Sequence, residues 1–205
     1  MEKVTTGDNS VTLRNPEYDE CYHSKSGAIE EAFEKFAKPC KLKDGMKILD
    51  VCFGIGYNTL AAISTANVEV VGLENDEGVL REIENIEVDN KLKENYGKIK
   101  QAAKKLEYED EKTKITIILG DARKTIKSIN EKFDAVFLDP FSPPKCPELW
   151  TYEFFAEIAK RMKKGSVLTT YSCARIARES LRKAGFSVED GPVIGRRSPS
   201  TLAYI

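Results

Sequence analysis

Short apolar runs alternate along the chain with amphipathic stretches whose hydrophobic residues recur at a spacing near 3.6. Lys47 to Val51 (KILDV), Glu69 to Glu74 (EVVGLE), Ile115 to Leu119 (ITIIL), Phe133 to Leu138 (FDAVFL) and Ser166 to Tyr171 (SVLTTY) read as strands, each bounded by Gly, Asp, Pro or Lys-rich breaks. Two weaker runs, Phe186 to Glu189 and Thr201 to Ile205, complete seven strands. Between them the spacing predicts helices over Ala28 to Ala37, Asn58 to Ala66, Glu77 to Ile86, Ala122 to Ile129, Thr151 to Met162 and Cys173 to Ala184. Strand and helix in alternation predict an α/β domain, a mainly parallel sheet flanked by helices on both faces.

Two segments fall outside that alternation. Residues 1–27 are polar and read as an N-terminal extension to a domain over 28–205. Val88 to Lys114 is so dense in Lys and Glu that it predicts an exposed charged helical insertion before the third strand.

Composition narrows the function classes. The 205 residues carry 32 Lys+Arg against 33 Asp+Glu, a formal charge of -1, which excludes a globally basic nucleic-acid binder and leaves room for a local basic face. The five cysteines form no C-x-x-C pair and His23 is the only histidine, so no metal site is expected. Scattered thiols without a secretory apolar region fit a cytoplasmic protein, and no apolar run is long enough to predict a membrane span.

Candidate chemistry gathers at the strand ends. Asp50-Val51-Cys52-Phe53-Gly54-Ile55-Gly56-Tyr57-Asn58 stands where the first strand hands over to a helix. Glycines there let the backbone approach a ligand, and the helix start presents unpaired N–H groups, which makes Asp50, Gly54, Gly56 and Asn58 cofactor-binding candidates. Glu74 ends the next strand at the spacing expected of an acid that binds paired ribose hydroxyls. Gly120-Asp121-Ala122 ends the third. Thr59 breaks the dinucleotide fingerprint and no phosphate-binding G-x-x-x-x-G-K occurs, so a compact adenosine ligand is favoured over NAD or ATP. Asp139 ends the fourth strand and opens a rigid loop, Pro140-Phe141-Ser142-Pro143-Pro144-Lys145, that runs on to Trp150. An acid so placed is the catalytic candidate. Trp150 reads equally as a base-stacking residue and as a core residue beneath the loop.

The Asp50, Gly54, Gly56 loop resembles the first motif of the class I S-adenosylmethionine-dependent methyltransferases, with Cys52 where that family has a glycine. The resemblance implies a Rossmann-like fold with a seven-stranded, mainly parallel sheet whose last strand pair is antiparallel, and S-adenosyl-L-methionine as cofactor. It implies that Glu74 binds the ribose, that Asp121 and Ala122 flank the adenine, and that Asp50 lies near the methionine amino group. The run LDPFSPPKCPELWTYEFF, the later GRRSP and the segment Tyr18 to Phe33 are similar, more narrowly, to the methyltransferase half of the MnmC-type tRNA 5-methylaminomethyl-2-thiouridine-forming family. That half implies methylation of a 5-aminomethyl group on the wobble uridine of tRNA, with the aminomethyl precursor supplied by a separate enzyme. Asp139 would then orient or deprotonate the amine, with His23 a second proton-handling candidate and Asp139 also near the cofactor. Tyr22 and Ser24 are candidates for the entrance. Phe141, Lys145, Trp150, Arg175, Arg178, Arg196 and Arg197 are the candidates for the tRNA anticodon stem-loop, since the chain from Ala156 onward is locally basic. Methylation of another exocyclic or small-molecule amine, aminopropyl transfer as in spermidine synthase, and a non-catalytic adenosine- or tRNA-binding module are the alternatives.

Overall fold

The computed structural model describes residues 1–195 and 197–205. Its centre is an eight-stranded sheet built from β4 (Lys47–Val51), β5 (Glu69–Glu74), β6 (Glu107–Glu109), β7 (Lys114–Leu119), β8 (Phe133–Leu138), β9 (Met162–Thr170), β10 (Ser187–Asp190) and β11 (Thr201–Tyr204), in the order β10-β11-β9-β8-β4-β5-β7-β6. The five central strands are parallel, and β11 runs antiparallel to both β9 and β10. All seven expected strands are present, and β6 adds an eighth as an antiparallel edge on β7. Helices α2 (Tyr57–Thr65), α3 (Glu77–Glu82), α5 (Ala122–Ser128), α6 (Tyr152–Lys160) and α7 (Arg175–Lys183) connect the strands. Apolar residues from both faces of the strands form two cores, one around Phe36, Ile48 and Phe137, the other around Leu49, Phe133 and Trp150.

The strand order reverses at β4, which has β5 on one side and β8 on the other. Ligands of such sheets bind outside the carboxyl ends of the strands at that reversal. The glycine loop leaves β4 there, and Asp139 follows β8 with its N–H on the Val51 carbonyl at 3.1 Å.

Two segments differ from expectation. The first 27 residues, for which the pattern predicts no element, include a three-stranded antiparallel sheet of β1 (Glu2–Thr5), β2 (Val11–Asn15) and β3 (Glu20–Cys21). The charged insertion is not simply exposed. Its helix α4 (Lys93–Lys105) buries Tyr96, Ile99, Ala102 and Ala103, one apolar face hidden among lysines, and the Tyr96 hydroxyl donates to the Ile55 carbonyl at 3.1 Å. The helix thus braces the glycine loop.

Candidate active site

The loop after β4 takes its shape from three left-handed residues, Cys52 (φ 67°), Gly54 (φ 57°) and Gly56 (φ 79°). Gly54 lies in the wall of a 580 Å³ cavity beyond the strand ends. Gly56 does not line it; a Cβ there would lie 2.6 Å from Ile99 Cγ2, so this glycine makes room for α4. Cys52 adopts a conformation normally left to glycine, at a cost of ~1–2 kcal/mol, and lines the cavity. Glu74 is buried at the end of β5, its Oε2 accepting from Gly54 N and its Oε1 from Asn75 N and Asp76 N, all at 2.8 Å. Burial raises its proton affinity while these three bonds favour the carboxylate. Asp121 caps α5, and the Arg123 guanidinium bonded to it holds its carboxyl below the usual range; both line the cavity beside Ala122.

Asp139 and His23 meet at the cavity wall. Their side chains are 5% and 3% exposed, with Nε2 of His23 3.9 Å from Oδ2 of Asp139. Asn58 donates its Nδ2 to that same Oδ2 at 2.8 Å. Burial, reinforced by the charge of Glu31, pushes the Asp139 carboxyl well above its ordinary value. The imidazole, by contrast, is pushed down to about 4 by burial and is neutral at neutral pH. Neither ring nitrogen of His23 has a hydrogen-bond partner among the described residues. A neutral imidazole offers one donor and one acceptor to a group in the cavity.

The remaining expected residues divide into cavity and framework. Asp50 and Asn58 are buried behind the wall rather than in it. Asp50 accepts from Thr59 Oγ1 at 2.6 Å, is pushed up to about 7 by burial, and its Oδ1 has no hydrogen-bond partner among the described residues. Phe141 lines the cavity and stacks on Tyr18 with ring centroids 4.4 Å apart. Trp150 is a core residue, 1% exposed, and no base can reach it; its indole N–H instead supports the loop through the Phe141 carbonyl at 2.9 Å. Arg178 is not a free cation either, because it bonds Thr201 Oγ1 and the Ser200 carbonyl and pairs with Asp190. Arg175 is 89% exposed and pairs with Glu179. Lys145 and Arg197 are exposed, and Arg196 lies outside the described residues.

Sequence reasoning did not select Tyr18, Glu20, Glu31, Lys35 and Cys52, all of which line the cavity. Tyr18 and Glu20 come from the N-terminal segment, which closes over the strand ends, and Glu31 and Lys35 from the helical run that follows it. Tyr22 donates its hydroxyl to Asp76 at 3.1 Å, and Glu20 accepts from Ser142 N at 2.9 Å and from the Ser142 hydroxyl. Tyr22 and Ser24, expected at the entrance, do line the cavity. Among the described residues the wall holds eight carboxylates, Asp19, Glu20, Glu31, Glu74, Asp76, Asp121, Asp139 and Glu148, against Arg14, Lys25, Lys35 and Arg123. That surplus favours a cationic ligand and repels phosphate from the interior.

Residues 84–205 match the family described as S-adenosyl-L-methionine-dependent methyltransferase. The crystal structure of MnmC2 from Aquifex aeolicus superposes with a TM-score of 0.89 at 36% identity, covering 99% of this chain and 70% of that one. An uncharacterized protein of Methanocaldococcus jannaschii is 38% identical over 98% of this chain and 58% of its own length. The tRNA 5-methylaminomethyl-2-thiouridine biosynthesis bifunctional protein MnmC of Leptospira interrogans is 26% identical over 95% of this chain. The chain spans only 34% of that bifunctional protein.

Proposed function

The chain belongs to the family of S-adenosyl-L-methionine-dependent methyltransferases, and from that membership we propose that it methylates the primary amine of 5-aminomethyl(-2-thio)uridine at the wobble position of tRNA. It is an enzyme whose methyl donor is S-adenosyl-L-methionine, and membership favours methyl transfer over the aminopropyl alternative. The residues present fit that donor. Gly54 lets the wall come close, since a Cβ there would already lie 3.1 Å from the Tyr22 ring, and Glu74 is held by three backbone N–H groups with its carboxylate at the end of β5. Glu74 would hold the ribose, Asp121 and Ala122 would flank the adenine, and the acidic wall suits the donor's cationic end. Asp50, behind the wall, would act on the methionine amino group only across the loop. When bound, the donor supplies a sulfonium methyl whose carbon accepts a nitrogen lone pair as the C–S electrons pass to sulfur.

The observation that carries the reading is the buried Asp139 and His23 pair, 3.9 Å apart, with an imidazole that has no hydrogen-bond partner among the described residues. An alkylammonium has no lone pair and must lose a proton before it can be methylated. A carboxylate made more basic by burial can take it, and general-base action of this kind is typically worth ~10²–10⁴-fold. Asn58 fixes the Asp139 carboxylate, and neutral His23 can hydrogen-bond the amine without competing for its proton at neutral pH. Phe141, stacked on Tyr18, offers a ring face to the planar uracil.

The name of the Leptospira relative, a tRNA 5-methylaminomethyl-2-thiouridine biosynthesis protein, supports tRNA as substrate. Exposed Lys145 and Arg197 and the outer end of α7 at Arg175 would meet phosphates outside the acidic cavity. A cytoplasmic location fits the five cysteines, all free among the described residues. Asp139→Asn tests the reading. It should bind S-adenosyl-L-methionine within about threefold of wild type by calorimetry and transfer methyl ~10²-fold more slowly or worse. Unchanged single-turnover transfer would remove Asp139 from the mechanism.

A further inference from the structure

The acceptor end of the cavity contains an ion pair that the proposed chemistry has not used. Lys35 Nζ lies 2.6 Å from Glu31 Oε1, with side chains 2% and 8% exposed. The other oxygen of Glu31 accepts the Ser24 N–H at 2.9 Å, one residue beyond His23. The N–H of His23 itself bonds Thr12 Oγ1 at 3.2 Å, so the segment is pinned from both sides. Glu31 and Lys35 line the cavity together with His23 and Asp139.

Desolvating two charges is costly, and an apolar pair of similar volume commonly serves stability as well or better. The local backbone is also unusual. Lys35 sits in a six-residue π-helical run, Ala32–Ala37, which continues α1 (Ala28–Glu31). Such widened turns are rare and concentrate at functional sites. The run packs Phe36 edge-on against Phe137 of β8, ring centroids 5.9 Å apart, two residues before Asp139. One helical segment thus carries Glu31 and Lys35 while bearing on the strand that presents Asp139.

We propose that Glu31, with Lys35 as its counter-ion, is a positioning residue for amine activation: its carboxylate holds the His23–Ser24 backbone at the acceptor end and sets the charge against which Asp139 works. The inference rests on the function proposed above. The charged groups acting on Asp139 are Glu31 and Asp50, which strengthen its hold on a proton, and Lys35, which weakens it; His23 faces it uncharged. Removing the Glu31 charge therefore makes Asp139 a weaker base that ionises at lower pH.

The test compares wild type, Glu31→Gln and the double variant Glu31→Leu with Lys35→Met. In single-turnover transfer to aminomethyl-bearing tRNA across pH, Glu31→Gln should be at least 10-fold slower, its acid limb displaced to lower pH, with cofactor affinity within threefold of wild type. The double variant should be as stable as wild type yet also slow. Wild-type rates in either variant, or rates that track only thermal stability, would overturn the proposal. An independent arm needs no substrate. His23 is the sole histidine, so its imidazole resonances are unambiguous. Glu31→Gln should move them at pH 7, and unchanged resonances would also overturn the proposal. Wild type failing to methylate the tRNA would refute the proposed function, while the resonances would still decide the placement of His23 by Glu31.

Discussion

Burial sets the proton affinities of Asp50 and His23, and it moves them in opposite directions. Asp50 is raised from 3.8 to about 7 and His23 is lowered from 6.5 to about 4, each chiefly by desolvation. The consequences for stability follow from linkage. The folded state holds a proton on Asp50 that the unfolded state releases above 3.8, so this group's contribution is fully present below 3.8 and lost as pH rises through about 7. His23 contributes the reverse: the unfolded state takes up a proton below 6.5, so stability falls with pH toward about 4. Asp139 and Glu74, also raised, act on the side of Asp50. Urea unfolding of the ligand-free protein should therefore show stability rising as pH falls from 8 to 6.5, then flattening as His23 opposes it. His23→Gln should keep rising below 6.5, and Asp50→Asn should lose much of the rise. A wild-type profile that falls from pH 8 to 6.5 would contradict these assignments.

At the scale of elements, two glycines one residue apart serve different ends. Gly56 starts α2 where α4 presses on the loop, and a Cβ there would meet Ile99 Cγ2 at 2.6 Å and Phe53 at 3.1 Å. Gly54 faces the cavity. Gly56→Ala should cost ~1–3 kcal/mol of stability, from overpacking together with a positive φ. Gly54→Ala should weaken cofactor binding more than its own loss of stability explains, measured by calorimetry beside urea unfolding. The reverse assignment of effects would mean that α4 does not brace the loop. The alternating glycines were legible in the sequence because a turn of this kind demands them, yet their division of labour was not. It depends on α4, whose apolar positions Tyr96, Ile99 and Ala103 are diluted by lysines until only packing reveals the face.

For the molecule as a whole, the sheet was legible because its parallel strands are buried on both faces and read as continuous apolar runs, bounded by breaks that also mark their ends. Asp139, Glu74 and Asp121 were legible for the same reason: a strand's carboxyl end is a place the sequence marks. The roof was not. β1 to β3 are short and partly exposed, so Tyr18 and Glu20 carry no periodic signal, while Glu31 and Lys35 sit on the expected helix over Ala28 to Ala37 and reach the cavity only through tertiary packing. Local basicity likewise pointed to Arg178 as a tRNA contact, but Arg178 is engaged by Thr201, Ser200 and Asp190, partners made by the antiparallel β11 and the β10 edge. The resulting molecule has a cavity whose wall carries more acidic than basic side chains, with Lys145, Arg175 and Arg197 exposed outside it. The most direct measurement is transfer from labelled S-adenosyl-L-methionine to tRNA carrying 5-aminomethyl uridine, beside unmodified tRNA and a free polyamine, followed by nucleoside mass analysis. The account predicts label only on the modified tRNA, as a 5-methylaminomethyl nucleoside; label on unmodified tRNA or on the free amine, with none on the aminomethyl nucleoside, would contradict it.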